Sequence, residues 1–393
     1  MFSFLVLSHS TTFQCNSQLN HPPVVPNGTL KTMFLFTRHG IITPEYNIFP
    51  KSDDGFWLCD AHESKSPRMR VSTVNNTYRR YRQTLFHAQA PFPPNCGLSQ
   101  LLIEGMNSQH ELGEFYRKYL INELQFLPEF YEPSQTEFRS GQNPHSIKSA
   151  QSFVDALYPP EIPGEMIDLM VGTSKQDVIY NDPNNCNDIA NDFYSWTKTQ
   201  EFSEKLAISK EILASFLNYT KLKYTENAFY ALNEIMMSYY CSSNRLPSVV
   251  TDDVLELFYN NTQFTLENLF NKQYTAAGPA WKEIFKNLES QKEKKFFLYS
   301  SNMAVISSVI ASISGITYIP PYNSHLTVEV WTVDGKDFIR TVFNGKVIKN
   351  KFSDGNELVD VSKLKEGVSP LFKYCTKDTD VLSDIKYYNR VLL

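Results

Sequence analysis

The run Lys31-Thr-Met-Phe-Leu-Phe-Thr37, closed at once by Arg38-His39-Gly40, decides how this chain is read. Met33, Phe34, Leu35 and Phe36 are apolar without a break. The segment therefore reads as a buried strand, and the Arg-His-Gly that ends it as a turn. Outward from there, residues 40–95 are rich in Pro, Gly, Asn and Asp and read as loop. Leu101, Leu102, Met106, Leu112, Phe115, Tyr119 and Leu120 recur at spacings near three and four, which predicts a helix over residues 101–123. Thr136-Glu-Phe138 reads as a short strand ending at Arg139-Ser140, and residues 147–157 as a helix stopped by Pro159-Pro160. Residues 173–192 are polar and loop-like, and residues 193–288 mainly helical. Phe296-Phe-Leu-Tyr299 is a second buried strand, and residues 302–314 form a helix that stops at Gly315. Residues 327–332 and 338–343 alternate as strands do.

This order predicts an α/β fold: a doubly wound mixed sheet as core, with an inserted, mainly helical cap domain. The expected division is a leader or N-terminal extension over 1–30, an α/β core over 31–180 and 290–393, and the cap over 181–289. In such sheets ligands bind beyond the carboxyl ends of the strands. Arg38-His39, Arg139 and Ser300-Ser301-Asn302 all fall at such ends, which points to a site.

Composition narrows the classes. In 393 residues, 42% hydrophobic and 14% aromatic content supply a core and argue against disorder. A net charge of -5 argues against a dedicated nucleic-acid binder. No membrane span is expected, because the best apolar stretch, residues 303–319, is broken by Ser307, Ser308, Ser312, Ser314 and Gly315. Met1-Phe-Ser-Phe-Leu-Val-Leu7 is apolar but short for a signal core, and no basic residue precedes it. Cys15, Cys59, Cys96, Cys186, Cys241 and Cys375 show no C-x-x-C spacing. Disulfides of a secreted chain fit them better than a metal site, buried free thiols being the alternative, and the pairing stays open. Sequons stand at Asn27, Asn75, Asn218 and Asn260.

Arg-His-Gly after a buried strand suits phosphoryl chemistry. Arginine offers a planar fork to phosphate oxygens. An unprotonated imidazole nitrogen can attack phosphorus and split one hard hydrolysis into two steps. Four blocks, in order along residues 31–331, carry a wider likeness. Phe34-Leu-Phe-Thr-Arg38-His39-Gly40-x-x-Thr43-Pro44 resembles the R-H-G-x-R-x-P signature of the histidine acid phosphatases. Leu102-x-x-Glu-Gly105-x-x-x-Gln109-x-x-Leu112-Gly113, with Arg117 and Tyr119, is similar to that family's second block. Arg139-Ser140, then Ser149-Ala150-Gln151-Ser152-Phe153 and Leu157-Tyr158-Pro159-Pro160, is similar to the third. Pro320-Pro321-Tyr322-x-Ser324-His325-Leu326 and Glu329-x-Trp331 are similar to the late strand block.

The resemblance implies the histidine phosphatase fold and phosphate-monoester hydrolysis through a phosphohistidine, with no metal and no cofactor. His39 would be the nucleophile, with Arg38 and Arg139 on the phosphate. It also implies a secreted or lysosomal glycoprotein with disulfide bonds, a small anion or phosphate monoester as ligand, and a homodimer. Departures are equally clear. The second signature arginine falls on Ile42, and the late His-Asp pair on Asn302 and Met303. Losing a positioned general acid costs a factor of about 100 to 10,000 in rate, and losing a charge-stabilising donor about 100 to 1,000. Asn302 still offers a hydrogen bond to phosphate, or else an N-cap to the following helix. His110 and His325 fit structural roles, and His145 either neighbours the site or lies on the surface. Two readings follow: a weakened acid phosphatase, or a pseudophosphatase that binds anions or partners.

Overall fold

An unbroken apolar run in a strand has to bury both faces, and Met33 to Phe36 of β1 (Gly28–Arg38) do so, while Thr29 and Lys31 near its start are exposed. The computed structural model describes residues 14–50, 55–59, 92, 96–160, 165–172, 186–271, 275–290, 294–353 and 355–375. The apolar leader at residues 1–7 and the sequon at Asn75 lie outside the described residues. The strands that follow are β2 (Thr136–Ser140), β3 (Leu169–Val171), β4 (Phe296–Ser301), β5 (His325–Val333), β6 (Lys336–Phe343), β7 (Lys346–Val347) and β8 (Val359–Asp360). They form one mixed sheet in the order β3-β2-β4-β1-β5-β6-β7, with β8 on β6. The half from β3 to β1 is parallel. The half from β1 onward is antiparallel.

Pleat alternation sorts β1 and β4 between two cores. Phe34 and Phe36 stack on Phe297 and Tyr299, at 4.7 and 4.8 Å between ring centroids. On that face pack α8 (Gly278–Glu289), α9 (Met303–Ser314) and α10 (Val361–Val368), through Trp281, Ile306 and Leu364 among others. Met33, Leu35 and Leu298 face the other way, against α1 (Ile103–Arg117) and α2 (Pro144–Leu157) through Leu112, Tyr116 and Phe153. Helices thus cover both faces, and the fold is the expected α/β, doubly wound mixed sheet. A third core unites α3 (Asn187–Thr197), α4 (Gln200–Ile212), α5 (Ala214–Thr220), α6 (Glu226–Cys241) and α7 (Asp252–Leu266) with Ile41, Ile42 and Trp57.

Several bounds differ from the sequence pattern. α2 opens three residues earlier than its apolar spacing indicates, with Pro144 in the first turn, where a missing N–H costs nothing. That turn carries His145. α3 begins inside the stretch that reads as polar loop, because Ile189 and Trp196 supply a narrow buried stripe. Within the expected extension, Val25 is buried and Ser17 N donates to the Tyr322 carbonyl at 3.1 Å. α8 lies in the sequence range assigned to the cap, yet Trp281, Ile284 and Phe285 seal the sheet.

The six cysteines pair as Cys15–Cys241, Cys59–Cys96 and Cys186–Cys375. Among the described residues no helix is long and apolar enough to cross a membrane.

Candidate functional site

The parallel strands bring their ends level: Arg38 pairs with Ser301, and Ser300 with both Thr37 and Ser140. Immediately beyond Arg38 the chain turns at Gly40 against the first turn of α1. A Cβ on residue 40 would stand 2.2 Å from the Gly105 carbonyl oxygen, and one on residue 105 would stand 2.4 Å from the Ile41 oxygen. Both glycines are there because two backbones touch. Gln109 Nε2 locks the same turn, donating to the Arg38 carbonyl and to Asn323 Oδ1, each at 2.8 Å. From α2, Ser149 Oγ accepts from Gly40 N at 3.2 Å. Ser300 Oγ donates to the Ser146 carbonyl at 2.9 Å, so the strand-end serines tie β4 to α2.

His39 emerges from this frame 6% exposed. Its Nδ1 lies 2.9 Å from the Gly40 carbonyl oxygen. A carbonyl only accepts, so Nδ1 carries the proton and Nε2 keeps a lone pair. Burial, aided by the charges of His145 and Arg38, holds this imidazole well below its ordinary range, while the bond to Gly40 works weakly against them. His39 is therefore neutral where a free histidine is protonated.

His145 lies beside it, with ring centroids 4.5 Å apart and planes at 57°. Its Nδ1 donates to the Ser99 carbonyl at 3.0 Å, which leaves its own Nε2 as acceptor. Burial pushes His145 down to about 4; the Ser99 bond opposes this and the Arg38 charge assists it. The sequence left His145 between site and surface, and the structure buries it in contact with His39.

Arg38 is fully buried. Nη1 donates to the Pro320 carbonyl, Nη2 pairs with Glu234 Oε2 on α6, and the guanidinium stands 4.3 Å from the Tyr322 ring centroid. The late block that carries Pro320 and Tyr322 thus cradles this arginine. Ser238, one turn along α6 from Glu234, meets the Tyr322 hydroxyl at 3.1 Å.

Other expected members have partners of their own. Arg139 is level with Tyr299, two strands from β1 and two residues short of the Arg38 level. That offset separates the two Cα atoms by on the order of 12 Å. Its Nη1 lies 3.5 Å from Glu283 of α8. Asn302 is the N-cap of α9, its Oδ1 accepting from Val305 N at 3.1 Å. Ile42 and Met303 are buried, Ile42 in the cap-side core. His325 bridges the Tyr116 hydroxyl (2.8 Å) and the Gln18 carbonyl (3.2 Å), and His110 sits 3.5 Å from Glu114 one turn away on α1. Both therefore have structural partners. Sequence reasoning missed Glu234. Its signal was a lone carboxylate before Ile235-Met236-Met237, but no spacing tells which cation such a group meets. Among the described residues, the one grouping of metal-ligand types is Cys186, Asp188 and Cys375. Its sulfurs form a disulfide rather than thiolates.

No family model matches the chain. Counting factor 60 of Dictyostelium discoideum is 23% identical over 360 residues, 85% of this chain and 84% of that protein. Prostatic acid phosphatase of Homo sapiens is 25% identical over 278 residues, 64% of this chain and 70% of that one. Among solved structures, Hafnia alvei phytase in complex with tartrate matches with a TM-score of 0.58 at 12% identity, over 90% of this chain and 99% of that one. At such identity the likeness is one of fold.

Proposed function

We propose that this chain, which resembles the histidine acid phosphatases in sequence and shares the fold of that family's phytases, hydrolyses phosphate monoesters slowly through a phosphohistidine on His39. One observation carries the reading. Nδ1 of His39 is committed to the Gly40 carbonyl, so the lone pair sits on Nε2 of a ring that burial keeps neutral in acid. In the first step Nε2 bonds to phosphorus as the ester P–O bond breaks, and the leaving oxygen departs with the electron pair as an alkoxide or phenoxide that takes its proton from solvent. In the second, water attacks phosphorus, the N–P bond breaks and inorganic phosphate leaves. Arg38 places a guanidinium, paired with Glu234, at the strand end, and His145 a second imidazole beside the first.

The weakness lies in the first step. Met303 occupies the position where the resemblance expects a carboxylic acid, and a thioether has no proton to give an alkoxide. Esters with acidic leaving groups need little protonation, so they discriminate. Hydrolysis of p-nitrophenyl phosphate at pH 5 should be slow but measurable, should exceed that of an alkyl phosphate by a factor of about 100 or more, and should vanish in His39→Ala. Equal inertness of the wild type and His39→Ala would end the hydrolase reading.

A second reading, an inactive anion-binding pseudophosphatase, has its own support. Glu234 and Pro320 engage Arg38, and Asn302 caps a helix. Under it, His39→Ala leaves phosphate binding intact and no variant turns over.

Three disulfides and the exposed sequons Asn27, Asn218 and Asn260 support a secreted or lysosomal glycoprotein.

A further inference from the structure

The Arg38–Glu234 pair is incomplete on both sides. An arginine and a carboxylate at their best join by two parallel bonds. Here one Nη2–Oε2 contact is made. Arg38 Nε and Glu234 Oε1 are both buried and have no hydrogen-bond partner. Nη1 is spent on Pro320. The edge of the guanidinium that remains for a second, two-point ligand is therefore Nε with Nη2, and Glu234 already holds half of it. Arg38 itself does not swing: the Tyr322 ring, the Pro320 carbonyl and total burial fix it. Glu234 is the partner with freedom, with 22% of its side chain exposed.

We propose that Glu234 is an intramolecular competitor of phosphate: its carboxylate, delivered by the cap helix α6, occupies the anion edge of Arg38 and lowers the affinity of the pocket for phosphoryl groups. This rests on the reading that Arg38 contacts phosphate. The physical reason is charge at short range. A phosphate dianion arriving at Nε and Nη2 meets a carboxylate beside it, in a site too buried for water to screen the repulsion. With the carboxylate in place the guanidinium presents little net charge; without it a full positive charge is left for the ligand.

The test is calorimetric titration of the intact protein with inorganic phosphate and with orthovanadate. Four proteins are compared: wild type, Glu234→Gln, Arg38→Gln and the double variant. Glutamine keeps shape and an acceptor for Nη2 and removes only the charge, which guards against a fold lost to an uncompensated buried arginine. Glu234→Ala is the second arm, read alongside thermal melts. Both Glu234 variants should bind phosphate at least tenfold more tightly than wild type, and the double variant should lose that gain. Binding in Glu234→Gln that equals or falls below wild type, while Arg38→Gln weakens it, overturns the competitor and leaves Arg38 a phosphate ligand. A gain that persists in the double variant overturns the competitor as well, and with it the assignment of Arg38. No measurable binding in any of the proteins removes both.

Discussion

At His39 the decisive quantity is a proton on one nitrogen. Anchoring Nδ1 to a carbonyl selects the tautomer, and burial keeps the ring neutral. Protonation would abolish the nucleophile, so a free imidazole would lose activity as pH fell through about 6.5. Here burial holds the folded value well below that, so in rapid-quench measurements of phosphoenzyme formation the first step should lose its rate only at a lower pH than a free imidazole would. A drop centred near 6.5 would contradict this environment. Gly40 is the other exacting residue. Gly40→Ala forces its new methyl into the Gly105 carbonyl, and the shift should cost about 1–3 kcal/mol in denaturant melts.

Among the elements, α9 and α2 both start at the strand ends. Asn302 follows β4 where a phosphate ligand is expected; its oxygen caps α9 by accepting from Val305 N, and the amide N–H groups are what a phosphate would meet. Asn302→Ala should therefore cost about 1 kcal/mol of stability, and Asn302→Asp, which keeps the cap, should cost little. Unchanged phosphate affinity in both would establish that capping is the whole of its role. α2 contributes more than its apolar face. Its early first turn, opened by Pro144, sets His145 against His39 and Ser146 under Ser300. α6 brings Glu234 and Ser238 to the Arg38–Tyr322 pair from a separate core, so the chemistry at the strand end depends on how that helix is seated.

For the whole molecule, covalent ties add to the stability of the packed cores, and buried histidines make it depend on pH. Cys15–Cys241 spans 226 residues and fastens the N-terminal segment to α6, the helix that carries Glu234. On a chain-entropy view such a bridge contributes roughly 5 kcal/mol, so reduction should lower the melting temperature sharply. His145 and His325 fall from 6.5 to about 4 in the folded state, mainly through burial. The unfolded chain then binds more protons than the native one, and stability is lost as pH falls from about 6.5 toward 4. Each group is worth roughly 3 kcal/mol across that window. Asp155, raised to about 6 by burial, acts in the opposite sense and offsets part of this. Melting temperature should fall between pH 7 and pH 4.5, and His325→Gln should flatten the slope. A steeper slope in that variant would contradict the sign.

Local pattern along the chain suffices for the sheet's centre, the cover of both faces and the position of one imidazole. Buried strands on both sides write unbroken apolar runs, and a turn that needs two backbones in contact writes Gly40 and Gly105. The helical block was equally legible in composition, and α9 in its stop at Gly315. Short elements such as β3 left no signal, because three residues hold no period. What the tertiary structure alone decided is who meets Arg38. The pairing with Glu234 joins residues 196 apart in sequence, and the His39–His145 contact depends on where α2 begins. Charge partners across a fold are set by the packing of whole faces, and local pattern carries no record of them.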